Sequence, residues 1–303
     1  MSSGFLVDQR CLSLRESLLH RWFDLCKRLG VKGDVVYHAN LFRRLAYYYN
    51  HPERHYHNLV HINNCLKKFD EVKHLLDRPD SVELAIWFHD AIYEVWAEDN
   101  EDRSASLAMF FIVNLMRLSW ELANWVDYLI ERTKYFSKDN IYQPETEDAK
   151  YLVDIDLFSG LGGLPSDFSK KSELVAKEYG WVETDTFRKK RLEVFRMFLS
   201  RSPFYLTSYF RIGHEEQTRA NLEGAIRDLK GQILPPKVLL DQTLPQGVNP
   251  DYVVLVDGFY YDLCVICKVN TTIRTDCPTG SRNFYETCGQ LCRDCWNQTF
   301  LEN

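Results

Sequence analysis

From about Leu12 to Leu229, apolar residues recur at intervals of three and four, and the breakers fall between the recurring runs, which predicts a succession of amphipathic helices. LSLRESLLHRWFDLCKRL, closed by Gly30, is the first run. A second, after Pro52, carries Leu59, Ile62, Leu66 and Phe69 as one stripe. SVELAIWFHDAIYEVW, SASLAMFFIVNLMRL, ELANWVDYLIERTKYF and TFRKKRLEVFRMFL follow, and EEQTRANLEGAIRDL ends the series. Strand-like alternation is nearly absent until DYVVLVDGFYYDL. The stretch before it, GQILPPKVLLDQTLPQGVNP, holds four prolines, through which a helix cannot run. The pattern therefore predicts an all-α domain over residues 1–230, a proline-containing linker over 231–250 and a small module over 251–303.

Composition narrows the class. A chain of 303 residues with 45% hydrophobic content can bury one large core and has length left for an appended module. The net charge of −6, mixed in sign along the chain, supplies no broad cationic surface, so nucleic acid is not the expected partner. The start of the chain lacks a basic segment followed by an apolar stretch, and no window reaches the roughly 18 apolar residues of a membrane span. A cytoplasmic or nuclear protein with no membrane partner is expected.

Of nine cysteines, six fall between Cys264 and Cys295, a clustering that favours metal over disulfides in a reducing compartment. Cys264 and Cys267 form one C-x-x-C knuckle, and Cys292 and Cys295 form another 24 residues on, a spacing suited to a tetrahedral four-cysteine zinc site. Four thiolates leave no position for water, so this zinc would be structural, in a zinc-ribbon-like or treble-clef-like module that could dock a protein partner. Cys277 and Cys288 are then spare.

Three segments of the helical part carry candidate chemistry. His57 and His61 lie four apart in the run after Pro52, which as a helix would put both on one face, nearly opposite the apolar stripe. His89-Asp90 sits inside the apolar run AIWFHDAIY, where an imidazole and a carboxylate are costly to bury unless paired or coordinated. YLVDIDLFSGLG places Asp154 and Asp156 in another apolar segment. Together these offer a mixed nitrogen and oxygen ligand set suited to a divalent ion such as Mn, Fe, Mg, Ni or Zn.

The order H…HD…D over helices resembles the HD phosphohydrolase superfamily. RHYHNLVHI, WFHDAIYE, DNEDRSASLA, ERTKY, DIDLFSGLG and EYGWVETDTFRKKR together are similar to a bacterial-type family of metal-dependent HD phosphohydrolases, over about residues 12–230. The resemblance implies an HD-domain helical bundle whose metal is held by His61, His89, Asp90 and one of Asp154 or Asp156. Asp156 is preferred because an apolar turn follows it, and Asp154 then becomes a supporting acid. Tyr56-His57-Asn58 followed by His61 also resembles the YHNxxH element of cyclic nucleotide phosphodiesterases, which implies His57 as general acid and His61 as ligand. Glu101 is a candidate to orient the attacking water, or else a first-turn helix acid. Arg54, Lys134 and Arg191 are candidate phosphate contacts.

The expected function is hydrolysis of a phosphate ester or anhydride on a nucleotide-like small molecule, by a metal-activated hydroxide with a histidine acid. The alternative is a catalytically reduced HD protein that holds metal and serves as a binding or scaffold protein.

Overall fold

A computed structural model describes residues 13–134 and 144–231 with their side chains, and the backbone of five short strands beyond them. The chain divides into two units, Met1–Lys230 and Gly231–Asn303. The described part of the first is all-α. It runs through α1 (Leu14–Arg28), α2 (Val35–Tyr49), α3 (Leu59–Val72), α4 (Pro79–Phe88), α5 (Asn100–Phe110), α6 (Trp120–Glu131), α7 (Glu147–Leu161), α8 (Pro165–Glu178), α9 (Thr184–Ser200) and α10 (Ser208–Lys230). No helix among the described residues is long and apolar enough to cross a membrane.

Local chemistry fixes the helix starts. Ser13 and Glu16 form a reciprocal capping box at α1, and Asn58 accepts from the Val60 amide at the head of α3. The α4 start has no side-chain cap of its own. Instead Asp148, on α7, accepts the Asp77 and Arg78 amides at 2.8 and 3.0 Å, just before Pro79 opens the helix.

Two helices form the centre. In α4 every residue from Ser81 to Phe88 is buried, and α7 buries residues around its whole circumference, as expected of helices enclosed on all sides. Helices α3 and α6 pack against both. Ile62, Leu66 and Phe69 of α3 are almost fully buried, each contributing roughly 1.5–3 kcal/mol relative to exposure. Trp22 meets Trp87 edge to face at 5.5 Å, joining α1 to α4. Buried Glu83 is neutralised by Arg21 and Arg28 at 2.8 and 2.5 Å, which permits a carboxylate in this core.

Two helices and two boundaries depart from the sequence reading. Helices α2 and α8 are additional to the runs read from periodicity: α2 buries Leu41, Phe42, Leu45, Ala46 and Tyr49 as a regular stripe that the sequence reading passed over, and α8 is largely polar. His57 lies before the Asn58 cap, so it belongs to the turn leading into α3 and not to the helix that carries His61. His89 caps the end of α4, so the His89-Asp90 pair turns out of the helix.

In the second unit the backbone forms β1 (Val253–Val256), β2 (Phe259–Leu263) and β3 (Asn270–Arg274), antiparallel in that order, and a separate pair β4 (Phe284–Tyr285) with β5 (Gly289–Gln290). Thus VVLVDGFYY supplies two strands, with Val256 opposite Phe259. Cys264, Cys267, Cys292 and Cys295 lie outside the described residues, as does the 232–250 part of the expected linker.

Candidate metal centre

Helices α3, α4 and α7 each bring one element of the cluster. His61 lies on the first turn of α3, His89 and Asp90 leave the end of α4, and Asp156 projects from α7. His61 Nε2 is 3.1 Å from His89 Nε2, 3.2 Å from Asp90 Oδ2 and 3.2 Å from Asp156 Oδ1. His89 Nε2 is 3.2 Å from the same Asp90 oxygen and 3.5 Å from Asp156 Oδ1. Both histidines are only 2% exposed, so these contacts lie away from bulk solvent.

The far sides of the rings show which atoms are offered. His89 Nδ1 is 2.9 Å from the Ile86 carbonyl, which can only accept, so Nδ1 carries the proton and Nε2 presents its lone pair. His61 Nδ1 meets the Ser159 hydroxyl at 3.1 Å, leaving Nε2 turned to the cluster. Lone pairs and carboxylates thus face one another, an arrangement that favours positive charge at its centre. Burial alone would depress both imidazoles, yet their neighbours raise them well above the ordinary histidine value. For His61 these include Cys65, Tyr56 and the two carboxylates; for His89, Asp90 and Asp156. Burial works against ionised Asp90 and Asp156 too, and His89 and His61 outweigh it and hold both below the usual carboxylate range.

The spacing fits an ion. Donors held roughly 2.1 Å from one cation lie about 3.0 Å apart at octahedral angles and about 3.4 Å apart at tetrahedral ones, and the observed separations fall at these values. His61, Cys65, His89 and Asp156 form a group that could hold a metal ion, with one donor atom from each within 4.8 Å of the others. Asp90 belongs beside them by its 3.2 Å contacts. Cys65 has a different relation: its sulfur is 3.7 Å from Nε2 and 3.9 Å from Nδ1 of His61. A sulfur nearly equidistant from both nitrogens lies off the axis of the Nε2 lone pair, so Cys65 packs against the ring, and a change of rotamer would be needed for it to coordinate.

Asp154, read as the alternative ligand, is directed elsewhere. Its carboxylate accepts the Leu206 amide at 2.9 Å and both the amide and the hydroxyl of Thr207 at 2.7 Å, tying the α10 start to α7. Two positions along a helix rotate a side chain by about 200°, so Asp154 and Asp156 cannot share a face. Asp156 is the one in the cluster.

His57 stands next to the cluster, its ring 5.9 Å from that of His61. Glu178, at the end of α8 and 5% exposed, fixes it: Oε2 is 2.6 Å from His57 Nδ1, while Oε1 accepts the Tyr56 and His57 amides at 2.7 and 2.9 Å. Burial would raise this carboxyl, but His57 and the two amides hold it below its ordinary value. Tyr93 stacks on the imidazole at 3.8 Å and 23°. His57 and Asp156 line one cavity of about 450 Å³.

The three candidate phosphate cations have different fates. Arg54 donates to the carbonyls of His57, Asp90 and Ala91 at 3.3, 2.7 and 2.9 Å, a brace between the His57 turn and the segment after α4. Lys134 is ion-paired with Asp102 of α5. Arg191, on α9, lines the cavity. Glu101 lies in the first turn of α5, where burial first and then Asp90 push its carboxyl up, with Lys134 opposing.

Sequence reasoning assigned no role to Glu178, Tyr93, Ser159 or Cys65. Cys65 and Ser159 had a local signal, since they fall four after His61 and three after Asp156 on the same helix faces. Glu178 and Tyr93 had none, because only the packing of α8 and of the segment after α4 against the turn before α3 brings them to His57. No family model, no curated protein and no solved structure matches the chain.

Proposed function

We propose that the helical unit is a metal-dependent phosphohydrolase of the HD type, acting on a phosphate ester or anhydride of a small molecule. What carries this reading is the presence of Asp156 and the Glu178-anchored His57 on the wall of one cavity. His61, His89, Asp90 and Asp156 would hold a divalent ion, which when bound supplies Lewis-acid charge to the phosphoryl group and makes water more acidic. In the proposed hydrolysis a water oxygen would form the new bond to phosphorus as the bond from phosphorus to the leaving oxygen breaks. His57 is positioned to hand a proton to the departing oxygen from Nε2, because Nδ1 is committed to Glu178. Glu101 is a second acid near Asp90, suited to accept a proton from water.

On cysteine spacing alone, Cys264, Cys267, Cys292 and Cys295 are read as a structural zinc site in the second unit, available for a protein partner. A cytoplasmic or nuclear location follows from the same reducing chemistry. Metal analysis of the purified chain, followed by a phosphate-release screen over esters and anhydrides, tests the catalytic reading. Release should stop with a chelator and return with a divalent ion; unchanged release from chelated protein would overturn it.

A further inference from the structure

The cavity holding Asp156 and His57 extends well beyond them. Its outer wall is one face of α9, where Phe187, Arg191, Val194 and Phe198 follow at spacings of four, three and four. Arg191 interrupts an otherwise apolar stripe. Its guanidinium lies over the Phe195 ring at 4.4 Å, and its Nε is buried without a hydrogen-bond partner. Burial pulls it below the ordinary arginine value, opposed by Tyr179, Tyr93 and Tyr56, which places it against the same tyrosines that wall the site. A buried donor lacking an acceptor is unfavourable, and an anion entering the cavity would satisfy it. Two further cations line the cavity: Lys171 of α8, bonded at 3.0 Å to the Gly162 carbonyl, and Lys190 of α9, paired with Glu193 at 3.1 Å.

The remaining lining has another character. Leu157, Leu161, Val95, Val175 and Val182 are aliphatic, and Tyr179, Trp181 and Phe187 add rings. Among the described lining residues, the uncharged polar side chains are tyrosines, apart from the rim indole and His57; no amide or aliphatic hydroxyl is present. A nucleobase carries donors and acceptors along its edge that need partners when buried. At the mouth, Trp181 and Trp96 are 63% and 65% exposed with ring centroids 6.3 Å apart, leaving indole surface for a ligand to cover.

Resting on the hydrolase reading above, we infer that the cavity takes a phosphate monoester whose organic group is apolar and ring-sized rather than a nucleotide, with Arg191 binding the phosphate and the Trp181 and Phe187 wall burying the organic group.

Calorimetric titration of the full chain, as purified with its metal, tests this with three probes: 1-naphthyl phosphonate, methylphosphonate and AMP. The naphthyl compound should bind at least about tenfold more tightly than either of the others, because it alone matches both the cation and the apolar wall. Arg191→Met should weaken naphthyl phosphonate by about tenfold or more while leaving neutral 1-naphthol unaffected. AMP binding as tightly as naphthyl phosphonate overturns the inference, and so does an Arg191→Met chain that binds the phosphonate normally. If that variant loses naphthol as well, its cavity has collapsed, and the rank order in the unaltered chain decides. Binding needs no turnover. Tight naphthyl phosphonate binding by a chain that releases no phosphate from any ester would therefore defeat the hydrolase reading and leave the ligand class standing.

Discussion

His57 Nδ1 and Glu178 Oε2 stand 2.6 Å apart across 121 residues of sequence, with the second carboxylate oxygen accepting the backbone of the same turn. One buried acid thus fixes both the ring and the loop that carries it. His57→Ala should keep the metal and lower turnover by roughly 10² to 10⁴, the usual range for a general acid. Glu178→Gln, which keeps the shape but removes the charge, should lower kcat with little change in KM. Steady-state kinetics together with metal analysis checks both. Loss of metal in His57→Ala would make His57 a ligand and end this assignment.

The neighbouring aspartates of α7 make a sharp contrast. Asp156→Asn, His89→Ala and Asp90→Ala should each remove the metal of the helical unit while leaving the zinc count unchanged. Asp154→Asn should retain that metal, since Asp154 holds Leu206 and Thr207. Elemental analysis of the four variants is sufficient, and metal lost from Asp154→Asn but kept in Asp156→Asn would reverse the assignment.

Arg54 joins the His57 turn to the carbonyls of Asp90 and Ala91. Arg54→Met leaves those carbonyls without a donor and should cost about 1–3 kcal/mol of stability, measured by urea unfolding. Metal affinity should fall with it, because Asp90 loses its support. A variant of unchanged stability and metal affinity would show that the brace is dispensable.

Asp148 gives a pH dependence of known sign. Burial first, opposed by the Asp77 and Arg78 amides, raises its carboxyl above the ordinary 3.8. The folded chain therefore keeps this proton to higher pH than the unfolded chain, so the group's contribution to stability is largest below the unfolded value and declines as pH rises through the folded one. The stability of the natural chain minus that of Asp148→Asn should fall on going from below 3.8 upward, then level off. A difference that grows with pH would contradict the placement of this acid.

The sequence by itself determined the helical character of residues 13–134 and 144–230, because apolar spacing and capping residues such as Ser13 and Asn58 act within a few positions of the chain. The costly burial of titratable groups in apolar runs drew attention to His89-Asp90 and to Asp154 and Asp156, and the resemblance to HD phosphohydrolases added His61 and the order of the ligands. Helix α2 was passed over although Leu41, Phe42, Leu45, Ala46 and Tyr49 form a stripe, α8 because it is largely polar, and Asp154 stayed beside Asp156 as an alternative because nearby acids look alike until the face each occupies is known. Tertiary packing alone decided the rest. Glu178 meets His57, Arg54 is spent on carbonyls, Lys134 on Asp102, and Arg191 faces the cavity, because each depends on which helices touch across more than thirty residues of chain. Helix periodicity reports which side of a segment is buried. It carries no information about the partner waiting on the other side, which is set by how the core closes.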